Sequence, residues 1–172
     1  MALCLGIDPG LGRLGYALVQ SEGSSYRALD FGVIETKAGK ALPERLLVVF
    51  RKLDDMVDKS SPALLTVERL FFGRNRTTAE MIYQVRGVVL LLGALHGLRI
   101  IEPTPAQVKM AACGNGRAQK MQVQQMVQRI FGLSEIPTPD DAADALAVAL
   151  SGIMLSEFED RTGGATKDAS LS

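Results

Sequence analysis

The first 36 residues contain three segments with the pattern of β-strands, and the links between them are short. Leu3 to Asp8 is an apolar run that ends at the breaker pair Pro9-Gly10, and Gly15 to Gln20 and Tyr26 to Thr36 follow it. Links this short join antiparallel strands, because a parallel connection needs about a dozen residues or more. The chain is therefore expected to begin with an antiparallel meander.

After the meander, helical and strand patterns alternate. Apolar residues at 4-3-4 spacing predict an amphipathic helix over Leu42–Lys59. The remaining segments are two strands (Ala63–Glu68, Leu98–Glu102) and four helices (77–96, from Thr104, Arg117–Phe131, and from Thr138 to about Glu159). This order predicts an α/β domain over residues 1–160, with a mixed five-stranded sheet and helices on both faces. The polar residues 161–172 are expected to form a disordered tail.

The composition fits one globular domain that does not enter a membrane. The chain has 172 residues, of which 47% are hydrophobic, but its wholly apolar runs, such as Val88–Leu92, are far shorter than the roughly 20 residues that a membrane span needs. The first ten residues lack the basic and apolar regions of a signal peptide, and Cys4 and Cys113 form no CxxC motif. We expect a cytoplasmic protein with reduced thiols.

A formal net charge of zero conceals an uneven distribution of charge. Residues 1–68 contain 8 Lys and Arg against 9 Asp and Glu, residues 69–130 contain 9 against 2, and residues 131–172 contain 2 against 8. A basic middle segment beside acidic flanks indicates a surface for a polyanion next to a group of carboxylates. Chance segregation of charge around solvated helices is the alternative.

Four carboxylates are placed where a sheet could bring them together. Asp8 and Glu68 each end an apolar strand, and they meet if those two strands are parallel neighbours. Asp141 and Asp144 lie on one face of the last helix. Each has a structural alternative, such as a capping box between Thr138 and Asp141. Four converging carboxylates, however, repel one another, and a pair of divalent metals is the usual means of offsetting that repulsion.

The ligand types and the basic surface together indicate a metal-dependent nuclease. Oxygen ligands suit Mg²⁺ or Mn²⁺, whereas the scarcity of His and Cys argues against zinc. His96 is the only histidine and is predicted to stabilise a helix C-terminus rather than to bind metal. Two metals stabilise both oxygens of an in-line phosphoryl displacement.

Several motifs in this order resemble the RuvC family of bacterial crossover junction endodeoxyribonucleases, which resolve four-way Holliday junctions. The matching segments are Leu5-Gly6-Ile7-Asp8-Pro9-Gly10 with Gly15-Tyr16, Val67-Glu68-Arg69-Leu70-Phe71-Phe72, Gln107-Val108-Lys109, and Asp141-Ala142-Ala143-Asp144-Ala145-Leu146-Ala147. The resemblance covers about residues 2–155.

The resemblance implies a ribonuclease H-like fold and a homodimer whose two active sites nick like strands, leaving 5′-phosphate and 3′-hydroxyl ends. It implies two Mg²⁺ ions per site, with Mn²⁺ as the alternative, held by Asp8, Glu68, Asp141 and Asp144. It also implies the RuvAB branch-migration motor as a partner. The residues that it suggests for DNA contact are Arg69, Phe71, Phe72, Arg74, Asn75, Arg76, Lys109, Arg117 and Lys120.

Some alternatives stay open at the level of sequence. Asp140 shares a helical face with Asp144 as Asp141 does, so spacing alone does not choose the ligand; the motif favours Asp141. Either Phe71 or Phe72 could stack on bases, or either could be a core residue. Rival functions are an actin-like ATPase or sugar kinase, for which the chain is too short, and a ribonuclease H-like domain that binds branched nucleic acid without cutting it or that cuts RNA.

Overall fold

The computed structural model describes residues 2–69 and 76–163, with residues 76–79 described through their backbone. Ten elements follow one another along these residues. They are β1 (Ala2–Asp8), β2 (Arg13–Glu22), β3 (Ser25–Glu35), α1 (Leu42–Ser60), β4 (Leu64–Val67), α2 (Arg76–Leu95), β5 (Arg99–Ile101), α3 (Pro105–Cys113), α4 (Lys120–Ile130) and α5 (Asp140–Thr162).

The five strands form one mixed sheet in the order β3-β2-β1-β4-β5. β2 pairs with both β1 and β3 in antiparallel fashion, so the predicted meander is confirmed. β4 lies parallel to β1 and to β5. The strand that follows the first helix therefore pairs beside β1, which is the condition under which Asp8 and Glu68 meet.

Alternation along the strands divides the core into two layers. Leu5 and Ile7 pack into the layer that α1 and α2 cover, whereas Cys4 packs into the layer that α3, α4 and α5 cover. Because side chains alternate across a strand, Asp8 belongs to the same face as Cys4. By the same alternation, Glu68 belongs to the face of Leu64, which also packs into the α5 layer. Both strand-end carboxylates are thus directed to the side of the sheet that α5 occupies.

Helix α5 lies unusually close to the sheet because small residues line the contact. A Cβ atom on Gly6 of β1 would lie 2.6 Å from the Ala145 carbonyl oxygen and from the Ala149 Cβ. A Cβ on Gly15 of β2 would overlap the backbone of Asp141, and one on Gly152 would overlap the Thr66 side chain. These three glycines therefore set the height at which α5 crosses the strands.

Two helix starts differ from the sequence prediction. Helix α4 begins at Lys120 rather than Arg117, because the Gln119 and Gln122 side chains form a capping box there and Arg117 lies in the preceding turn. Helix α5 begins after Pro139 without a side-chain cap, so the alternative capping box between Thr138 and Asp141 is not formed.

The start of α2 and the end of α5 also differ from the sequence prediction. Helix α2 begins at Arg76, ahead of the predicted capping box at Thr77. Helix α5 continues to Thr162, two residues into the segment predicted as a tail, and residues 164–172 of that segment lie outside the described residues. None of the helices among the described residues is long and apolar enough to cross a membrane.

Helix α2 is buried on one side only in the single chain. Val85, Val89 and Leu92 are fully buried against the core, but Leu91 and Leu95 are 56% and 65% exposed. Leu91 and Leu95 are four residues apart and share one face of the helix. An apolar face of α2 is therefore open on the single chain.

We predict that Gly6→Ala lowers the free energy of unfolding by about 1–3 kcal/mol, the usual cost of inserting a methyl group into a packed core. The new Cβ has backbone and Cβ atoms of α5 in its way, and neither can move without lifting the helix. Urea denaturation measures the change. Gly39→Ala is the matched control, since nothing lies within 4 Å of a Cβ at that position; equal stabilities for the two variants would contradict the prediction.

Candidate active site and metal centre

The site is built at the carboxyl ends of two neighbouring parallel strands. Ile7 of β1 pairs with Val67 of β4, so the next residues in each strand, Asp8 and Glu68, are adjacent. Their meeting follows from the parallel register together with the shared face of the sheet. The sequence prediction that these two carboxylates lie side by side is therefore consistent with the strand pairing found.

Helix α5 adds a third carboxylate to the same place. Asp144 lies on the first turns of α5, which the close approach at Gly15 brings over the ends of β1 and β2. Asp8, Glu68 and Asp144 line one cavity of about 250 Å³. The other residues that line this cavity are Pro105, Val108, Lys109, Lys120, Val123, Ala147 and Val148.

Two lysines from separate helices face these carboxylates. Lys109 lies on α3, and Lys120 is the first residue of α4. The Lys120 Nζ is 2.6 Å from Asp140 Oδ2 and 3.0 Å from Asp144 Oδ2. The cavity thus combines anionic and cationic groups, and Lys120 already neutralises part of its negative charge.

Asp141, the fourth predicted ligand, does not line the cavity and is paired with a cation from another element. Its Oδ2 lies 3.1 Å from the Nε of Arg13, the first residue of β2. That oxygen is buried and has no hydrogen-bond partner, so the contact is an ion pair whose N–H does not point at the oxygen. Asp140, the alternative ligand, is bonded to Lys120 instead.

The electrostatics of the cavity reflect burial and crowding of like charges. Burial, followed by the charges of Asp144, Glu68 and Asp141, raises the pKa of Asp8 from 3.8 to about 7, against the opposing effect of Lys120. Burial and then the Asp144 charge raise the pKa of Glu68. Burial also raises the pKa of Asp144, although the Lys120 ammonium opposes this shift. Three carboxyl groups that resist ionisation in one cavity need a cation to hold them all charged.

The carboxylate oxygens of the cavity are suitable ligands for a hard divalent metal, although the side chains are spaced more widely than metal ligands. Among residues 2–69 and 76–163, no three His, Cys, Asp or Glu side chains converge closely enough to hold an ion jointly. The cavity nevertheless offers oxygen donors from Asp8, Glu68 and Asp144, and the Oδ2 of Asp141 is buried beside them without a hydrogen bond. Carboxylate oxygens in this number suit Mg²⁺ or Mn²⁺.

Of the nine residues predicted to contact DNA, Lys109 and Lys120 line this cavity. Arg69 is exposed beyond Glu68, with its backbone N–H donating to the Pro103 carbonyl, and Arg117 is exposed in the turn before α4. Arg76 begins α2. Four further predicted contacts lie outside the described residues: Phe71, Phe72, Arg74 and Asn75.

His96 is placed away from the cavity, as its prediction requires. It follows the last residue of α2, and its Nε2 lies 2.7 Å from the Asp54 Oδ1 of α1. This contact ties α2 to α1. The sequence prediction that His96 is not a ligand of the proposed site agrees with this placement.

Two charged contacts near the site were not anticipated from the sequence. Arg13 pairs with Asp141, and Arg86 of α2 pairs with Glu102 just beyond β5. The contact of Arg13 with Asp141 could be inferred only from the strand register. Gly15 pairs with Asp8, so the start of β2 lies at the edge of the sheet where α5 begins. Neither residue belongs to a motif.

We predict a pH-dependent gain in stability for Asp8→Asn in the metal-free protein. The folded-state pKa of Asp8, about 7, exceeds its ordinary value of 3.8, so the wild-type free energy of unfolding falls as pH rises from about 4 through 7. The asparagine variant lacks this loss and should be the more stable protein at pH 8, by at most about 4 kcal/mol, with a smaller difference at pH 5.

Chemical denaturation in EDTA at both pH values measures this effect. Asp55→Asn is the control, because Asp55 is exposed and pairs only with Lys59 on the surface of α1. A difference between Asp8→Asn and wild type that is the same at pH 5 and pH 8 would contradict the electrostatic description of the cavity.

Comparison with known proteins identifies the family. The family model for "Crossover junction endodeoxyribonuclease RuvC" matches residues 4–152. A protein of that description from Desulfitobacterium hafniense is 46% identical over 163 residues, which are 95% of this chain and 99% of that protein. Another, from Alkaliphilus metalliredigens, is 45% identical over 148 residues, covering 86% of this chain and 90% of that protein.

Among solved structures, the fold is similar to that of T. thermophilus RuvC in complex with a Holliday junction substrate. The TM-score is 0.82 at 31% sequence identity, and the match covers 94% of this chain and 97% of that one. The predicted ribonuclease H-like fold, with its mixed sheet and antiparallel first strands, is confirmed by this match and by the strand order. On the extent of the family match and the identity to its members, the chain belongs to the RuvC family of crossover junction endodeoxyribonucleases.

Proposed function

We propose that this chain resolves four-way DNA junctions by hydrolysing one phosphodiester bond in each of two like strands. The observation that carries the proposal is the convergence of Asp8, Glu68 and Asp144, from three separate elements, on one cavity that also receives Lys109 and Lys120. Such a cavity combines ligands for a divalent metal with cations for a phosphate. Membership of the RuvC family supports the choice of DNA junctions as the substrate.

Asp8, Glu68 and Asp144 would hold the metal, with Asp141 as the fourth ligand and two Mg²⁺ per site as the expected occupancy. Mn²⁺ is the alternative cation. When bound, these ions supply Lewis-acid activation of water and stabilise the charge on the attacking and leaving oxygens. Asp141 is preferred to Asp140 because its charge reaches Asp8, whereas Asp140 is bonded to Lys120 outside the cavity lining.

The lysines and the apolar wall give the cavity its other functions. The ammonium groups of Lys109 and Lys120 are positioned to contact phosphate oxygens of the strand that is cut. Val108, Val123 and Val148 also line the cavity and reduce its exposure to bulk water, which strengthens the charge interactions inside. Arg69 and Arg117, both exposed nearby, would extend the contact along the backbone.

The cellular setting of the proposal follows from the family. The T. thermophilus protein was solved with a Holliday junction substrate, and we infer that this chain takes the same class of DNA. Its products would carry 5′-phosphate and 3′-hydroxyl ends. We place the reaction in the cytoplasm during recombination and repair, with the RuvAB motor as the partner that moves the junction.

Paired nicks call for two active sites, and helix α2 offers a surface for a homodimer. Leu91 and Leu95 expose 56% and 65% of their surface on one face of α2, and Met81, about three to four turns earlier, is 40% exposed. Exposed apolar side chains grouped on one helix are typical of a subunit interface. We propose that a second copy covers this face.

We predict that wild-type protein nicks a synthetic four-way junction in Mg²⁺ or Mn²⁺ but not in EDTA, and that Asp8→Asn slows nicking by at least about 100-fold, the scale on which loss of one preorganised electrostatic group slows catalysis. Because the variant removes a charge inside the cavity and leaves the surrounding cations in place, it should still bind the junction. Product analysis on a denaturing gel and a mobility shift without divalent metal measure the two effects.

Linear duplex of identical sequence and an RNA duplex are the substrate controls, and Asp55→Asn is the protein control. Cutting of RNA, or binding without any metal-dependent cutting, would favour the second rival, a ribonuclease H-like domain with another role. Cutting of linear duplex at the junction rate would contradict the proposed selectivity for junctions. Undiminished nicking by Asp8→Asn would remove Asp8 from the site.

We predict that Leu91→Glu with Leu95→Glu converts a dimer into monomers, because two charges cannot be buried in an apolar interface without partners. Sedimentation velocity at micromolar protein measures the mass. Leu29→Glu is the control, since Leu29 is 45% exposed on β3, away from α2. A wild-type protein that sediments as an 18.5 kDa monomer, or a dimer that survives the double substitution, would refute the α2 interface.

A further inference from the structure

A chain of alternating charges leads from the surface to the cavity. Arg13 of β2 contacts Asp141 at 3.1 Å and Asp140 at 3.9 Å, and Lys120 of α4 contacts Asp140 at 2.6 Å and Asp144 at 3.0 Å. Two cations from other elements thus hold the three carboxylates of the first turns of α5. Each cation has a preferred anion: Lys120 is closest to Asp140, and Arg13 is closest to Asp141.

We propose that Arg13 is a positioning residue that holds Asp141 out of the cavity and thereby sets the affinity of the site for a divalent cation. The inference rests on the proposed role of Asp141 as a ligand. Arg13 competes with the cation for the same carboxylate oxygen, so the metal must displace the guanidinium before Asp141 can join Asp8, Glu68 and Asp144.

The placement of Arg13 follows from the fold. Asp8 pairs with Gly15 across the β1–β2 register, so the start of β2 lies at the edge of the sheet where α5 begins. Gly15 has no Cβ to hold the Asp141 backbone away, and the Arg13 side chain, two residues earlier on the same strand face, therefore reaches the Asp141 carboxylate. The close approach of helix and strand makes this ion pair possible.

The contact is suited to exchange. The Asp141 Oδ2 is buried and accepts no hydrogen bond, although Arg13 Nε is 3.1 Å away. The Arg13 side chain is 48% exposed, and solvent weakens an ion pair of this kind. Asp141 is thus neutralised but not locked. Lys120, by contrast, donates a hydrogen bond to Asp140 and is held more firmly.

Counting formal charges shows why the counter-ion matters. Asp8, Glu68, Asp140, Asp141 and Asp144 contribute −5 when ionised, and Lys109, Lys120 and Arg13 reduce this to −2. Removal of Arg13 leaves −3 and takes away the cation that pairs with Asp141, so the metal-free site becomes more repulsive and a divalent cation gains more on binding. Arg13 therefore stabilises the empty site at the expense of metal affinity.

The test is a double-mutant cycle read out by calorimetric titration of Mn²⁺ into DNA-free protein. Arg13→Gln should tighten the dissociation constant by roughly three- to fivefold, the range that corresponds to loss of one partly exposed ion pair. Arg13→Lys, which keeps the charge, should return it towards the wild-type value. In an Asp141→Asn background, Arg13→Gln should tighten the dissociation constant by clearly less than in the wild-type background, because the carboxylate for which Arg13 competes is gone.

Three results would overturn the inference or its basis, and they are distinguishable. Equal dissociation constants for wild type and Arg13→Gln would show that Arg13 does not compete with the metal. The same gain in both backgrounds would show that Arg13 acts only as a distant charge. Absence of site-specific binding to wild type, with Asp8→Asn titrating identically, would instead refute the proposed metal site itself. Arg13→Met, which keeps the apolar stem, replaces Arg13→Gln if the latter is misfolded by circular dichroism, and carries the same expectations.

Discussion

The approach of α5 to the sheet is the constraint on which the site depends. Carboxylates at the ends of β1 and β4 can share a cavity with one on a helix only if that helix crosses the strands with almost no side chain between them. Gly6, Gly15 and Gly152 remove the side chains that would intervene. The alanine-rich inner face of α5, from Ala142 to Ala149, completes the contact from the other side. Packing at this depth also explains why the carboxylates are buried enough to have raised pKa values.

A site that collects negative charge must be stable before any metal or substrate arrives. This molecule meets that requirement in two ways. Asp8, with a pKa near 7, can remain protonated in the metal-free protein. Lys120 and Arg13 neutralise carboxylates at the start of α5 with charges from α4 and β2. Protonation of Asp8 and the two neighbouring cations thus offset the electrostatic cost of bringing the carboxylates together.

Much of the fold could be predicted from the sequence because its strands are short, apolar and regularly punctuated. The meander follows from link lengths, and the meeting of Asp8 with Glu68 follows from strand alternation once β4 is placed beside β1, which the sequence left as a condition. The partners of the α5 carboxylates could not be predicted in this way. Whether Arg13 reaches Asp141 depends on a register and an interlayer distance, and Lys120 reaches Asp140 only because a capping box at Gln119 starts α4 there. The solvent-exposed side of α2 was likewise hidden, since its apolar composition does not reveal which face the core covers.

The alternation of side chains along β1 limits how the length of this strand can change. Leu5 and Ile7 belong to one layer of the domain, while Cys4, Gly6 and Asp8 belong to the other. Inserting or deleting one residue between Leu3 and Asp8 would move the side chains beyond that point to the opposite face of the sheet. The Asp8 carboxylate would then enter the apolar layer beneath α1, and a bulky aliphatic side chain would face Ala145. Insertions or deletions in this strand are therefore tolerable only in steps of two residues. The loops after β3 and after α3 have no such alternation, so they can change length by a single residue.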